Sequence, residues 1–256
     1  MDTELTFLGT GTSQGVPVIA CRCEVCSSND EHDKRLRASV WIKSKGLSVV
    51  IDAGPDFRYQ MLRAGISTLD AILVTHAHRD HMGGLDDIRA YNYVHGRPMD
   101  IYAEPFVQEA LRTDYSYVFK ENRYPGIPEM ILHDISPNQP FVVGPLLFQP
   151  IRVMHLHLPV LGFRLDGLAY ITDASAIDEE EMKKLNGLDV LVINALRKEE
   201  HISHFTLAQS LDVIKRVKPK RAYLTHLSHQ MGKHSTLQNE LPQGVFAAYD
   251  GLTISL

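Results

Sequence analysis

The chain has 256 residues, 44% of them hydrophobic, and a formal net charge of −5. That apolar share excludes a disordered chain, and the acidic balance excludes a whole-protein basic field of the kind that draws in nucleic acid. No stretch approaches the roughly 20 apolar residues a membrane helix needs, and the opening MDTELTFLGTGTS carries acids where a signal peptide is basic, so a cytoplasmic protein with no membrane partner is expected.

In chain order, the N-terminal half is β-rich. Residues 4–8 alternate apolar and polar and run into the turn Gly9-Thr10-Gly11-Thr12. Segments 39–43 and 47–52 flank Lys45-Gly46, a hairpin signal. Phe57, Met61, Leu62 and Gly65 fit a short helix ended by glycine. An apolar run of strand length, 70–75, ends at His76. Residues 86–93 read as helix, 101–103 as strand, and 105–115 as helix with Pro105 in its first turn. Residues 116–140, with Pro125, Pro128, Pro137 and Pro140, read as irregular. The β pattern returns at 146–154, 160–165 and 168–172, followed by a helix at 179–185 and a buried strand at 190–194. Leu207, Leu211 and Ile214 share one face of an amphipathic helix over 205–217, and 222–225 is a short strand that delivers His226. Segments 246–249 and 253–256 read as a final hairpin over Asp250-Gly251. This order predicts an α/β fold with two sheets inside, helices outside, and the candidate ligands in loops along one edge. With no repeat, low-complexity tract or Ser/Gly linker, residues 1–256 read as one domain.

The strongest chemical signal is Thr75-His76-Ala77-His78-Arg79-Asp80-His81, four metal-competent side chains just after an apolar strand. His76 and His78 alternate with Ala77 and can point the same way. Imidazole and carboxylate together suit zinc, iron or manganese. Gly83-Gly84 follows and permits tight turning. This His-x-His-x-Asp-His run resembles the first ligand motif of the metallo-β-lactamase superfamily. The resemblance implies a four-layer αββα sandwich and an order for the other ligands: a distant His, an Asp after a strand, and a last His. His155 is the choice for the first of these, with His157 as its rival; family-like Met-His-Gly segments favour His155. The resemblance makes Asp173 the bridging ligand and His226 the last. It assigns His76, His78 and His155 to one metal and Asp80, His81 and His226 to the other, with a hydroxide activated between two cations, zinc or manganese.

The three cysteines all fall in Cys21-Arg22-Cys23-Glu24-Val25-Cys26. An odd, tight trio is a poor disulfide framework and a plausible zinc clip. A closed structural zinc site needs a fourth ligand, and His229 is the best candidate. Together with Phe7-Leu8-Gly9-Thr10-Gly11-Thr12 and Thr225 to His229, the trio makes residues 4–230 look like the cyclic phosphodiesterases of bacterial phosphonate degradation, which are similar to ribonuclease Z and carry an added structural zinc. That resemblance implies a non-ligand His before the amphipathic helix as the acid for the leaving group. His204 fits, and His201 is the alternative. The Gly9 to Gly15 loop reads as a tight turn, Arg35 and Arg37 as charged surface, and Tyr115, Tyr117, Phe119 and Tyr124 as packing residues.

The expected function is a metal-dependent phosphodiesterase acting on a small cyclic or activated phosphodiester, with Asp80 and His204 in catalysis. The alternatives are tRNA 3′-end processing and thioester or lactone hydrolysis. A small phosphodiester ranks above nucleic acid as the partner, and the resemblance implies a homodimer.

Overall fold

The computed structural model describes residues 3–121 and 124–256. Strands β1 (Glu4–Gly9), β2 (Ser39–Ser44), β3 (Leu47–Ile51), β4 (Ala71–Leu73), β5 (Met99–Ala103) and β6 (Met130–Asp134) lie side by side in that order. The second sheet contains β7 (Phe141–Val143), β8 (Leu146–His155), β9 (Leu158–Leu165), β10 (Leu168–Ile171), β11 (Val190–Asn194), β12 (Arg221–Thr225) and β13 (Val245–Ala247), again in sequence. The last strand, β14 (Thr253–Ser255), returns to the first sheet and pairs antiparallel with β1.

The central strands β4, β10 and β11 read as continuous apolar runs because both of their faces are buried. In β3, Val49 and Ile51 point into the core shared by the two sheets, and Val50 points the other way, toward helices. In β11, Val190 and Val192 join the shared core while Leu191 and Ile193 face the opposite helical layer. Outside the first sheet pack α1 (Phe57–Ala64), α3 (Arg89–His95) and α4 (Pro105–Asp114), with the short α2 (Arg79–Met82) in the loop after β4. Outside the second pack α5 (Glu179–Lys183), α6 (Leu207–Val217) and α7 (His234–Glu240). The result is the four-layer αββα sandwich. No helix among the described residues is long and apolar enough to cross a membrane.

Lys45 and Gly46, at φ of 48° and 84°, make the expected β2–β3 turn, and Gly65 ends α1 in the left-handed region at 64°. Four expectations are corrected. The irregular stretch 116–140 contains β6, which is held parallel to β5 and so depends on a partner distant in sequence. The final hairpin does not form: β13 pairs with β12 in one sheet and β14 with β1 in the other. Arg35 is buried rather than surface, its guanidinium donating to Thr10 Oγ1 at 2.8 Å and to the Ala248 carbonyl at 2.6 Å. Of the aromatics, Tyr115 packs in the core, whereas Tyr124 is exposed.

Candidate metal centre and active site

The candidate residues sit at strand ends along one edge, where parallel strands of both sheets finish. Asp52 follows β3 directly, His76 follows β4 across Val74 and Thr75, Asp173 follows β10 across Thr172, and His226 follows β12 directly. Asp52, Asp173 and His226 adopt left-handed φ of 67°, 56° and 55°. Non-glycine residues seldom hold that backbone, and where they do they concentrate at functional sites.

Asp52 has no signature in the sequence beyond ending an apolar run, yet it organises the first histidines. It is fully buried. Its carboxylate accepts from His81 Nδ1 at 2.7 Å, from the Thr75 amide at 2.9 Å and from the Thr75 hydroxyl at 2.9 Å. With its proton given to Asp52, the Thr75 oxygen accepts from His76 Nδ1 at 2.9 Å. Both imidazoles therefore carry a proton on Nδ1, and each turns its Nε2 toward the cluster. His81 Nε2 lies 3.1 Å from Asp173 Oδ2 and 3.2 Å from Asp80 Oδ2, and His226 Nε2 lies 3.2 Å from Asp173 Oδ1. The Nε2 atoms of His76, His81 and His226 are buried and have no aligned hydrogen-bond partner. His81 Nε2 faces two carboxylates, an arrangement that needs a positive charge between them, either a proton on Nε2 or a metal cation in its place. The donor set of Asp80, His81, Asp173 and His226, with one ligand atom each within 4.8 Å of the others, fits a divalent metal.

A second histidine set adjoins it. The ring of His76 lies 4.6 Å from that of His78 and 6.0 Å from that of His155, and His78 lies 5.2 Å from His155. His155 Nδ1 donates to the Ser203 carbonyl at 2.7 Å, which frees Nε2. His157 stands exposed in the turn after β8, outside the cluster. His204 Nε2 donates to Asp173 Oδ1 at 3.0 Å, and its Nδ1 lies 3.1 Å from Ser203 Oγ and 3.2 Å from His201 Nδ1. Two residues on, Thr206 caps α6, accepting from the Gln209 amide at 3.2 Å while Gln209 Oε1 accepts from the Thr206 amide at 2.8 Å.

The electrostatics follow from this burial. Burial opposes the charged form of His81, but Asp173, Asp52 and Asp80 outweigh it and hold its imidazole well above the usual range. The same negative field attracts a cation. Burial also raises Asp173, and His226 and His81 overcome it, holding the carboxylate well below its ordinary value. His76 lies well below its ordinary range, chiefly through burial, and burial with the neighbouring His204 and His81 brings His226 down to about 4.

The three cysteines converge on one point. Cys21 Sγ and Cys23 Sγ lie 3.4 and 3.3 Å from His229 Nδ1, and Cys26 joins them within 4.8 Å. The Cys26 amide and His229 lower the Cys23 thiol to about 6, against the usual preference for the neutral form. Three sulfurs and one imidazole at this range fit a closed, tetrahedral zinc site.

A family model of the beta-lactamase superfamily domain matches residues 48–227. The chain belongs to the metallo-β-lactamase superfamily. This superfamily member superposes on the crystal structure of a diphosphatase from the PhnP family with a TM-score of 0.94 at 39% identity, over 100% of this chain and 98% of that one. The octanoyltransferase of Porphyromonas gingivalis is 44% identical over 248 residues, 96% of this chain but 50% of its own length. The ribonuclease Z of Gloeothece citriformis is 27% identical over 78% of this chain and 57% of that protein. The chain thus spans about half the length of these curated relatives. Fold and family thus agree on a metallo-β-lactamase-fold protein.

Proposed function

We propose that this protein is a hydrolase, a dinuclear metal-dependent phosphodiesterase acting on a small cyclic or activated phosphodiester, including one activated as a diphosphate. The observation that carries the reading is His204: an imidazole inside the cluster, 3.0 Å from Asp173, with a proton to give. His76, His78 and His155 would hold one cation and Asp80, His81 and His226 the other, with Asp173 shared. When bound, two such ions supply Lewis acidity and an activated water nucleophile at neutral pH. Zinc and manganese both suit this His/Asp set, and zinc suits the Cys3His site.

The protein's own groups do the rest. Asp52 keeps His81 and, through Thr75, His76 in the tautomer that presents Nε2. Asp173 aligns His204, which as an imidazolium would pass its Nε2 proton to the departing oxygen as the ester bond breaks and return to the neutral ring with its proton on Nδ1. The His201 and Ser203 contacts at Nδ1 hold the ring in place. The diphosphatase name of the solved relative supports phosphoryl chemistry. The octanoyltransferase name supports a second reading, hydrolysis of an acyl ester or thioester at the same site. Ribonuclease Z relatives support tRNA 3′-end cleavage, which the acidic net charge of −5 ranks lower.

Hydrolysis of bis-p-nitrophenyl phosphate by metal-reconstituted protein, with a thioester and a lactone alongside, tests the proposal. Preferential diester turnover abolished by chelator supports it. Preferential thioester or lactone turnover leaves fold and site standing and overturns the substrate class.

A further inference from the structure

Two apolar side chains stand in solvent on loops that meet at the site. Leu156 follows His155 directly and is 44% exposed; Ile202 lies between His201 and Ser203 and is 77% exposed. The loops are pinned together by the His155 Nδ1 bond to the Ser203 carbonyl, and the His155 and His204 rings lie 4.4 Å apart. The Leu156 amide is itself held by Ser175 Oγ at 3.0 Å.

Scattered exposed leucines are ordinary and need no explanation. The backbone sets Leu156 apart. His155 pairs with Leu158 across β8 and β9, so Leu156 and His157 form a two-residue turn, and Leu156 takes its first position at a φ of 56°. Glycine, asparagine or aspartate is preferred where such a turn needs positive φ. Here a branched apolar residue occupies the left-handed position and also presents its side chain to water. Neither choice serves the turn or the core, and both fall one residue from the histidine cluster. Unfavourable geometry of this kind persists where the side chain has other work.

We propose that Leu156 and Ile202 form an apolar rim that receives a hydrophobic group of the substrate, an alkyl chain or an aromatic ring attached beside the scissile bond. The inference rests on the hydrolytic reading of the site and adds to it a substrate class. Such a rim makes no hydrogen bonds. It selects by removing methylenes from water, so preference rises with chain length.

The test uses the metal-loaded full chain with methyl and hexyl 4-nitrophenyl phosphate, and with 4-nitrophenyl acetate and hexanoate as a parallel acyl series. Wild type is expected to prefer hexyl over methyl by about tenfold in kcat/KM, mainly through KM. The double substitution Leu156→Gly, Ile202→Ser is expected to bring that ratio to within about twofold of one. Leu156→Gly alone should leave Tm unchanged or raised, since glycine suits the turn. Equal turnover of both chain lengths by wild type overturns the rim and leaves the phosphodiesterase reading intact. A chain-length preference seen only with the acyl esters keeps the rim and overturns the phosphodiesterase. A large fall in Tm for Leu156→Gly makes Leu156 a packing residue and overturns its part. No turnover of either series overturns both readings.

Discussion

Asp52 Oδ2 and His81 Nδ1 meet at 2.7 Å in complete burial, one on the turn after β3 and the other in α2. The carboxylate sets which nitrogen of His81 faces the cluster. Asp52→Asn keeps the shape and removes the charge. It is expected to weaken metal retention about 10- to 100-fold, read as metal content after dialysis against graded chelator. Unchanged retention would mean that packing alone orients His81.

Asp80→Ala and His81→Ala should each abolish hydrolysis while the circular dichroism spectrum stays native. Full activity in either variant contradicts the two-metal reading.

Cys23→Ser should lose about one zinc per chain and lower Tm, because a structural zinc contributes binding free energy directly to folding. The measurement is zinc stoichiometry by elemental analysis, paired with thermal melting. A metal count equal to wild type removes the clip.

His204→Ala should slow diesters with alkoxide leaving groups by about 10²- to 10⁴-fold and p-nitrophenyl diesters far less, since p-nitrophenolate departs without a proton. Equal slowing across leaving groups would show that His204 holds the site together and does not donate.

His234 gives a pH signature away from the metal clusters. Burial, then the Arg35 guanidinium 3.3 Å away and His32, brings its imidazole down to about 4, with Asp30 and Asp33 opposing. A folded-state value below the ordinary one of about 6.5 means that the unfolded chain binds the proton first. Stability from this group is complete above about pH 6.5 and is lost as pH falls toward about 4. The Tm difference between wild type and His234→Asn should be flat above that window and shrink within it as pH falls. A difference that stays constant from pH 7 to 4 would contradict the assignment.

The cluster after β4 was legible because four ligand-type side chains fall within six residues behind an apolar strand, a local pattern. The Cys trio was legible for the same reason, and so was the β2–β3 hairpin. What escaped was decided at long range. β6 reads Met-Ile-Leu-His-Asp between proline-rich stretches and is a strand only because β5 lies beside it. β13 and β14 look like a hairpin locally, but their partners, β12 and β1, sit in different sheets. α7 has Leu237 as its buried anchor, too few apolar positions to announce a helix. Asp52 is one acid at the end of a strand, and only the fold reveals that His81 and Thr75 converge on it. His155 and His157 share a spacing that pattern cannot separate; the two-residue turn separates them, sending one inward and the other to solvent.

The cluster draws on both halves of the sandwich: Asp52, His76 and His81 extend from the first sheet, and His155, Asp173 and His226 from the second. An ion gripped by both recognises the folded chain and finds no equivalent in the unfolded one. By mass action its free concentration becomes a variable of the protein's stability, adding about 1.4 kcal/mol for each tenfold excess over its dissociation constant. Cation supply would then govern how long the folded chain survives as well as how fast it turns over substrate.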